Sequence, residues 1–154
     1  MSKSSIEKVK SLLYPESVAI VGASPRRGGW SEIIYRNLKD FGYSKPVYLV
    51  NPKYEQLWGE TCYPDLSSLP GKPDHLVVLV PSSMVNGVLL EGAKNGARSA
   101  TVYAGGYGEG ADQEGQRLFQ SLKQTIQASG LSVSGPNCLG NLCGASKLVT
   151  VTDR

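Results

Sequence analysis

Gly22-Ala23-Ser24-Pro25-Arg26-Arg27-Gly28-Gly29 is the stretch of this sequence best equipped to hold an anion. Glycine lets a backbone approach a phosphate closely, Ser24 adds a hydroxyl donor, and Arg26 and Arg27 add charge-assisted bonds. An apolar run ends at Gly22 and a helical pattern starts at Trp30. The segment would therefore join a strand to a helix N-terminus, with its unpaired N–H groups and partial positive charge. Its spacing is neither GxGxxG nor a Walker A loop. A glycine-rich turn with no ligand is the plain alternative.

A second position concerns the sugar of a nucleotide. Nicotinamide-dinucleotide domains place Asp or Glu after their second strand to take the ribose hydroxyls. Here the chain reads Val50-Asn51-Pro52-Lys53, with no carboxylate before Glu55. A lysine there suits a phosphate on the adenosine ribose, as in NADP or coenzyme A. A solvated surface lysine is the other reading.

Other chemistries have little to draw on. His75 is the only histidine, and the three cysteines, Cys62, Cys138 and Cys143, have neither metal-ligand nor disulfide-framework spacing. No metal site and no Ser-His-Asp triad is expected. Cys138 has no histidine near it in sequence to activate it, so it reads as structural or orienting. His75 reads as structural too, at the edge of the sheet opposite the ligand crevice. Glu109 reads equally as a solvated loop acid or as a group that orients a catalytic residue from elsewhere. No catalytic residue is assigned within the chain.

The elements that must carry these residues alternate. Ile6, Val9, Leu12 and Leu13 predict a helix over residues 4–13, closed by Pro15. Short apolar runs predict strands over 17–22, 47–50, 75–80, 100–104 and 131–134. Trp30, Ile34, Leu38 and Phe41 predict one helical face ending at Gly42. Val85, Val88, Leu89 and Ala93 predict another helix to about Gly96, and Leu118, Leu122 and Ile126 a last one. Residues 51–73 read as irregular, broken by Pro64 and Pro70, and 147–151 as a possible sixth strand of the sheet. Such alternation gives an α/β fold, a Rossmann-like doubly wound parallel sheet in three α/β/α layers. The loops at 22–29, 51–53, 81–83, 104–110 and 135–140 then all leave strand C-termini and would line one crevice.

A length of 154 residues, 40% hydrophobic and 19% charged, fits one globular domain spanning 1–154. No apolar run is long enough to cross a bilayer, and Met1-Ser2-Lys3-Ser4-Ser5 does not lead into a signal peptide, so the expected location is cytoplasmic. A net charge of +3 does not point to nucleic acid. Residues 1–54 nevertheless hold nine Lys/Arg against four Asp/Glu, so positive charge gathers in the half with the first loop. That favours a small anionic ligand.

Several motifs in order carry a family resemblance. They are Pro15-x-Ser17-Val18-Ala19-Ile20-Val21-Gly22-Ala23-Ser24, Arg36-Asn37-Leu38 before Gly42-Tyr43, and Val50-Asn51-Pro52-Lys53. Gly59 with Tyr63, and Leu69-Pro70 before Pro73-Asp74, come next. Val80-Pro81, Ala104-Gly105-Gly106-Tyr107-Gly108-Glu109 and Gly135-Pro136-Asn137-Cys138-Leu139-Gly140 complete the set. From about Leu13 to Leu142 the chain resembles the N-terminal CoA-binding domain of NDP-forming acyl-CoA synthetases, relatives of the succinyl-CoA synthetase α subunit. Where members of that family often carry glycine and smaller residues, this chain has Arg26, Arg27 and Trp30.

The resemblance implies coenzyme A in an extended pose. Gly22, Ser24, Pro25, Arg26, Arg27 and Gly28 would hold the pyrophosphate, Val50 and Pro52 would flank the adenine, and Lys53 would meet the ribose phosphate. Pro81, Ser82 and Ser83, with Tyr103, Ala104 and Gly105, would line the pantetheine path. Asn137 and Cys138 would lie near the thiol. It also implies partner units, an ATP-grasp domain and a phosphohistidine domain, so the chain would be a fragment of a longer synthetase and inactive alone. Two other readings stand beside it: an NADP-binding reductase domain, and a CoA-sensing module of a protein acyltransferase.

Overall fold

Val18–Val21 forms the first strand, β1, and all four of its residues are buried, as a strand covered on both faces requires. The structure, a computed structural model, describes residues 4–110 and 112–153. The start of the chain through Lys3, and Arg154 at its end, lie outside the described residues. Side chains alternate along β1. Ala19 and Val21 join one core with Val85, Leu89 and Leu122, while Val18 and Ile20 join another with Ile34, Leu38 and Leu148.

Nine residues, Ser5–Leu13, form α1, opened by a capping box in which Ser4 and Glu7 exchange hydrogen bonds. After β1 come α2 (Trp30–Asp40), β2 (Val47–Val50), β3 (Gln56–Leu57) and β4 (Glu60–Tyr63). Then follow β5 (His75–Val78), α3 (Ser82–Lys94), β6 (Ser99–Val102), α4 (Gln113–Ser129) and β7 (Ser132–Ser134). Short strands β8 (Leu142–Cys143) and β9 (Leu148–Val149) end the order. The main sheet runs β3-β4-β2-β1-β5-β6-β7, parallel throughout except for the β3–β4 hairpin. Helices α3 and α4 pack together on one face; α1 lies against β6 and β7 and α2 against β9 on the other. This is the expected Rossmann-like, three-layer α/β arrangement. No helix among the described residues is long and apolar enough to cross a membrane.

Three details differ from the sequence expectations. Residues 51–73 are not wholly irregular: Trp58 (φ 54°) and Gly59 (φ 82°) make a two-residue turn with both φ values positive, which closes the β3–β4 hairpin. A tryptophan rarely takes that conformation, and here its ring is held by stacking on Tyr35 at 5.0 Å. The tail does not extend the main sheet. Its strand β9 pairs with β8 in a separate antiparallel ribbon over α2, where Asn37 Nδ2 donates to the carbonyls of Val151 (3.1 Å) and Asp153 (2.9 Å). On α2, Ile34 and Leu38 are buried, whereas Trp30 and the C-cap residue Phe41 are exposed.

The amino edge of the sheet is satisfied internally. His75 is fully buried, its Nδ1 2.8 Å from Ser99 Oγ and its Nε2 3.0 Å from Thr101 Oγ1. Burial pushes its pKa down to about 4. Beside it Arg98 grips Asp74 through two bonds. These contacts give His75 a structural place, as expected.

Candidate functional site

Strand order reverses between β1 and β5, because the chain leaves β1 for β2 and later returns to β1's other side. The crevice of a doubly wound sheet opens at such a point, beyond the carboxyl ends of the strands. Gly22 forms its floor. Its φ is +92°, and a Cβ there would lie 2.7 Å from the Leu79 carbonyl oxygen, so only glycine fits this close approach of two strand ends.

The first loop is shaped by its own bonds. Ser24 N–H donates to Ser31 Oγ (3.1 Å), and Ser31 Oγ donates back to the Ser24 carbonyl (3.3 Å). Arg26 N–H donates to Ser24 Oγ (3.3 Å), and Gly29 N–H to the Arg26 carbonyl (2.9 Å). Gly28 N–H donates to Glu32 Oε2 (2.7 Å), while Arg36 holds Oε1 through two bonds of 2.8 and 2.9 Å. The Gly28 N–H and then Arg36 keep the Glu32 carboxyl below the usual carboxylate range. The N–H groups of Trp30, Ser31 and Glu32 open α2 and have no carbonyl partner inside the helix, which leaves the positive end of α2 facing the crevice.

Asn51 couples this loop to the end of β2. Its Nδ2 donates to the Ala23 carbonyl (2.8 Å), its Oδ1 accepts from Lys53 N–H (2.9 Å), and Val50's carbonyl takes the N–H groups of Gly22 and Ala23. Across the crevice the 135–138 turn is stitched to the end of β6: Asn137 N–H donates to the Ala104 carbonyl (2.9 Å) and Cys138 N–H to Val102 (3.3 Å). Glu109 Oε2 accepts from the N–H groups of Gly106 (3.0 Å) and Tyr107 (2.9 Å), which orders the 105–110 loop from within. Tyr107 in turn donates to the Ser82 carbonyl at 3.4 Å.

Six of the residues singled out from the sequence, Gly22, Ser24, Arg26, Gly28, Tyr103 and Ala104, wall one cleft of about 510 Å³. Pro25 and Arg27 are exposed on its rim, and Pro52 and Lys53 on the adjoining shoulder. Val50 is 3% exposed, so it offers the crevice an edge of backbone more than a side chain. Pro81, exposed, is the N-cap of α3, with Ser82 and Ser83 in its first turn. Gly105, Asn137 and Cys138 lie together beyond β6 and β7, outside the walls of that cleft; the Asn137 Oδ1 is 3.5 Å from where a Gly105 Cβ would stand.

Sequence reasoning gave no site role to Trp30, Ser31, Leu79 and Val80, which also line the cleft, or to Glu32. Ser31 and Glu32 carry a signal, a polar residue and an acid in the first turn after the Gly29 N-cap. Leu79 and Val80 carry none, because an apolar run does not mark where its strand stops. Electrostatics separates the two edges of the sheet. Arg26, Arg27 and Lys53 form no ion pair among the described residues, whereas Asp74, Arg98, Glu16 and Lys45 at the amino edge pair with one another.

The family described as a CoA binding domain matches residues 16–143. The ADP-forming acetate–CoA ligase I of Archaeoglobus fulgidus is 37% identical over 129 residues, 84% of this chain and 18% of that protein. The alpha subunit of the ADP-forming acetate–CoA ligase I of Pyrococcus furiosus is 31% identical over 144 residues, 91% of this chain and 31% of the subunit. Among solved structures, the dinucleotide-forming acetyl-coenzyme A synthetase 1 of Ca. Korarchaeum cryptofilum, in complex with phosphate and ADP, is similar with a TM-score of 0.86 at 34% identity. That match covers 95% of this chain and 31% of that one. The chain thus spans less than a third of the length of each of these relatives.

Proposed function

This chain belongs to the CoA-binding domain family, and on that premise we propose that its carboxyl-edge crevice holds coenzyme A as part of an ADP-forming acyl-CoA synthetase. The observation that carries this reading is Lys53: a cation with no ion-pair partner among the described residues, tied by Asn51 to the anion-receptive loop, where a nicotinamide-binding unit has a carboxylate.

The chain's own groups divide the ligand between them. The α2 N-terminus, with Ser24, Arg26, Arg27 and Gly28, would neutralise the pyrophosphate, and Lys53 the 3′-phosphate. Pro52 and the buried edge of Val50 would bound the adenine. Pro81, Ser82 and Ser83 with Tyr103, Ala104 and Gly105 would line the pantetheine arm, leading it to Asn137 and Cys138. The thiol would emerge there, where other units of the synthetase would bring the acyl group from a phosphorylated intermediate. The relatives' names, with their ADP-forming ligases and alpha subunits, support this division of labour. The ATP-grasp and phosphohistidine steps belong to those units, and the working location is the cytoplasm.

Calorimetric titration of the purified chain with CoA and with NADP, side by side, tests the reading. CoA should bind and NADP should bind far more weakly. Equal or tighter NADP binding would overturn it.

A further inference from the structure

The cleft wall has two chemical characters. Ser24, Arg26 and Gly28 give it polar groups, while Trp30, Leu79, Val80 and Ala104 give it apolar surface. Trp30 is the first residue of α2 and follows Gly29 directly, so its indole stands beside the donors at the helix start. Its ring is braced against Tyr103, centroids 6.4 Å apart and planes tilted by 47°. Tyr103 cannot yield: it is 2% exposed, and its hydroxyl donates to the Thr150 carbonyl. Yet Trp30 itself remains 50% exposed, inside a concave wall. A large apolar surface braced from below and bare above, within a cleft, is shaped to be covered by a ligand.

Position decides which part of the ligand covers it. An indole next to the pyrophosphate donors meets whatever is bonded to the phosphate farther from adenosine. In CoA that is the pantoyl unit, whose quaternary carbon carries two methyl groups one methylene from the ester oxygen. In NADP it is a second ribose with hydroxyls that an indole cannot satisfy. In ADP it is nothing.

We propose that Trp30 is a specificity-determining residue that packs on the dimethyl carbon of the pantoyl unit and so separates coenzyme A from dinucleotides. The assignment rests on the CoA reading of the crevice.

Titration of the wild type, Trp30→Ala and Trp30→Phe with CoA and with ADP, which shares the pyrophosphate but lacks the pantoyl unit, tests it. Trp30→Ala should weaken CoA about ten-fold, the worth of covering two methyl groups, and leave ADP within about two-fold. Trp30→Phe should fall between, and matching thermal melting curves show that the half-exposed site tolerates both changes. The protein has two tryptophans, so Trp58→Phe leaves Trp30 as the sole indole. Its emission should shift with CoA and stay unchanged with ADP. Equal weakening of CoA and ADP would make Trp30 a prop of the loop and overturn the assignment, as would unchanged CoA affinity in Trp30→Ala. A wild type that binds ADP but not CoA would overturn the crevice reading itself, and this assignment with it.

Discussion

On the shoulder of the crevice Lys53 is exposed, its backbone fixed by Asn51 and its ammonium without an ion-pair partner among the described residues. A cation held in place without an acid contributes to a phosphate contact without first breaking another pair. Lys53→Ala should therefore weaken CoA by about 1.5 kcal/mol, the lower end of a charged hydrogen bond because solvent and salt screen the site. Dephospho-CoA, which lacks the 3′-phosphate, should lose little. Calorimetry on both ligands checks this, and equal losses would remove Lys53 from the site. Ser24, Arg26 and Gly28, which line the cleft, were legible as candidates because glycine, hydroxyls and cations are what a phosphate would ask for. Trp30, Leu79 and Val80 were not, because an apolar wall uses the same residue types as a core.

Among the elements, the parallel strands and their helices could be read from short apolar runs and from the spacing of Val85, Val88 and Leu89. The β3–β4 hairpin could not. Its first strand is two residues long, too short for any period, and its turn depends on Trp58 stacking on Tyr35, a contact between distant parts of the chain. The ribbon of β8 and β9 escaped for a similar reason: its place is set by Asn37 on α2 reaching the Val151 and Asp153 carbonyls. Where β1 ends, one substitution probes the spacing of neighbouring strands. Gly22→Ala introduces a Cβ 2.7 Å from the Leu79 carbonyl oxygen at φ +92°. It should cost about 2–4 kcal/mol from strain and overpacking combined. Denaturant melts should show the loss, and CoA affinity should fall with it because the floor of the crevice must move.

For the molecule as a whole, pH couples stability to the buried imidazole. His75 titrates at about 4 in the folded chain, down from an ordinary 6.5. The unfolded chain therefore binds the proton more readily. Stability is complete above pH 6.5 and is lost as pH falls from there towards 4, by up to about 3 kcal/mol. Burial pushes Asp74 up, but Arg98 and the Glu16 N–H outweigh it and hold the carboxyl low, so its share is lost only below the ordinary aspartate range. Unfolding curves between pH 7.5 and 4.5 should slope for the wild type. His75→Leu, less stable at neutral pH because it leaves two hydroxyls without their partner, should lose the slope between pH 7.5 and 5.5. It should keep only the fall that Glu32 and Glu60, whose carboxyls are held low, begin in the ordinary carboxylate range. The same imidazole belongs to a string with a sense of direction. At one end Ser99 Oγ donates to the Ser11 carbonyl, which can only accept; at the other Asn141 Nδ2 donates to Thr101 Oγ1. Hydrogens can then be placed in one order only: the Thr101 hydroxyl donates to Nε2, and the Nδ1–H donates to Ser99 Oγ. Nitrogen spectroscopy should find a single tautomer, and α1 and the loop before β8 are thereby joined by a conductor of dipoles that admits no reversal.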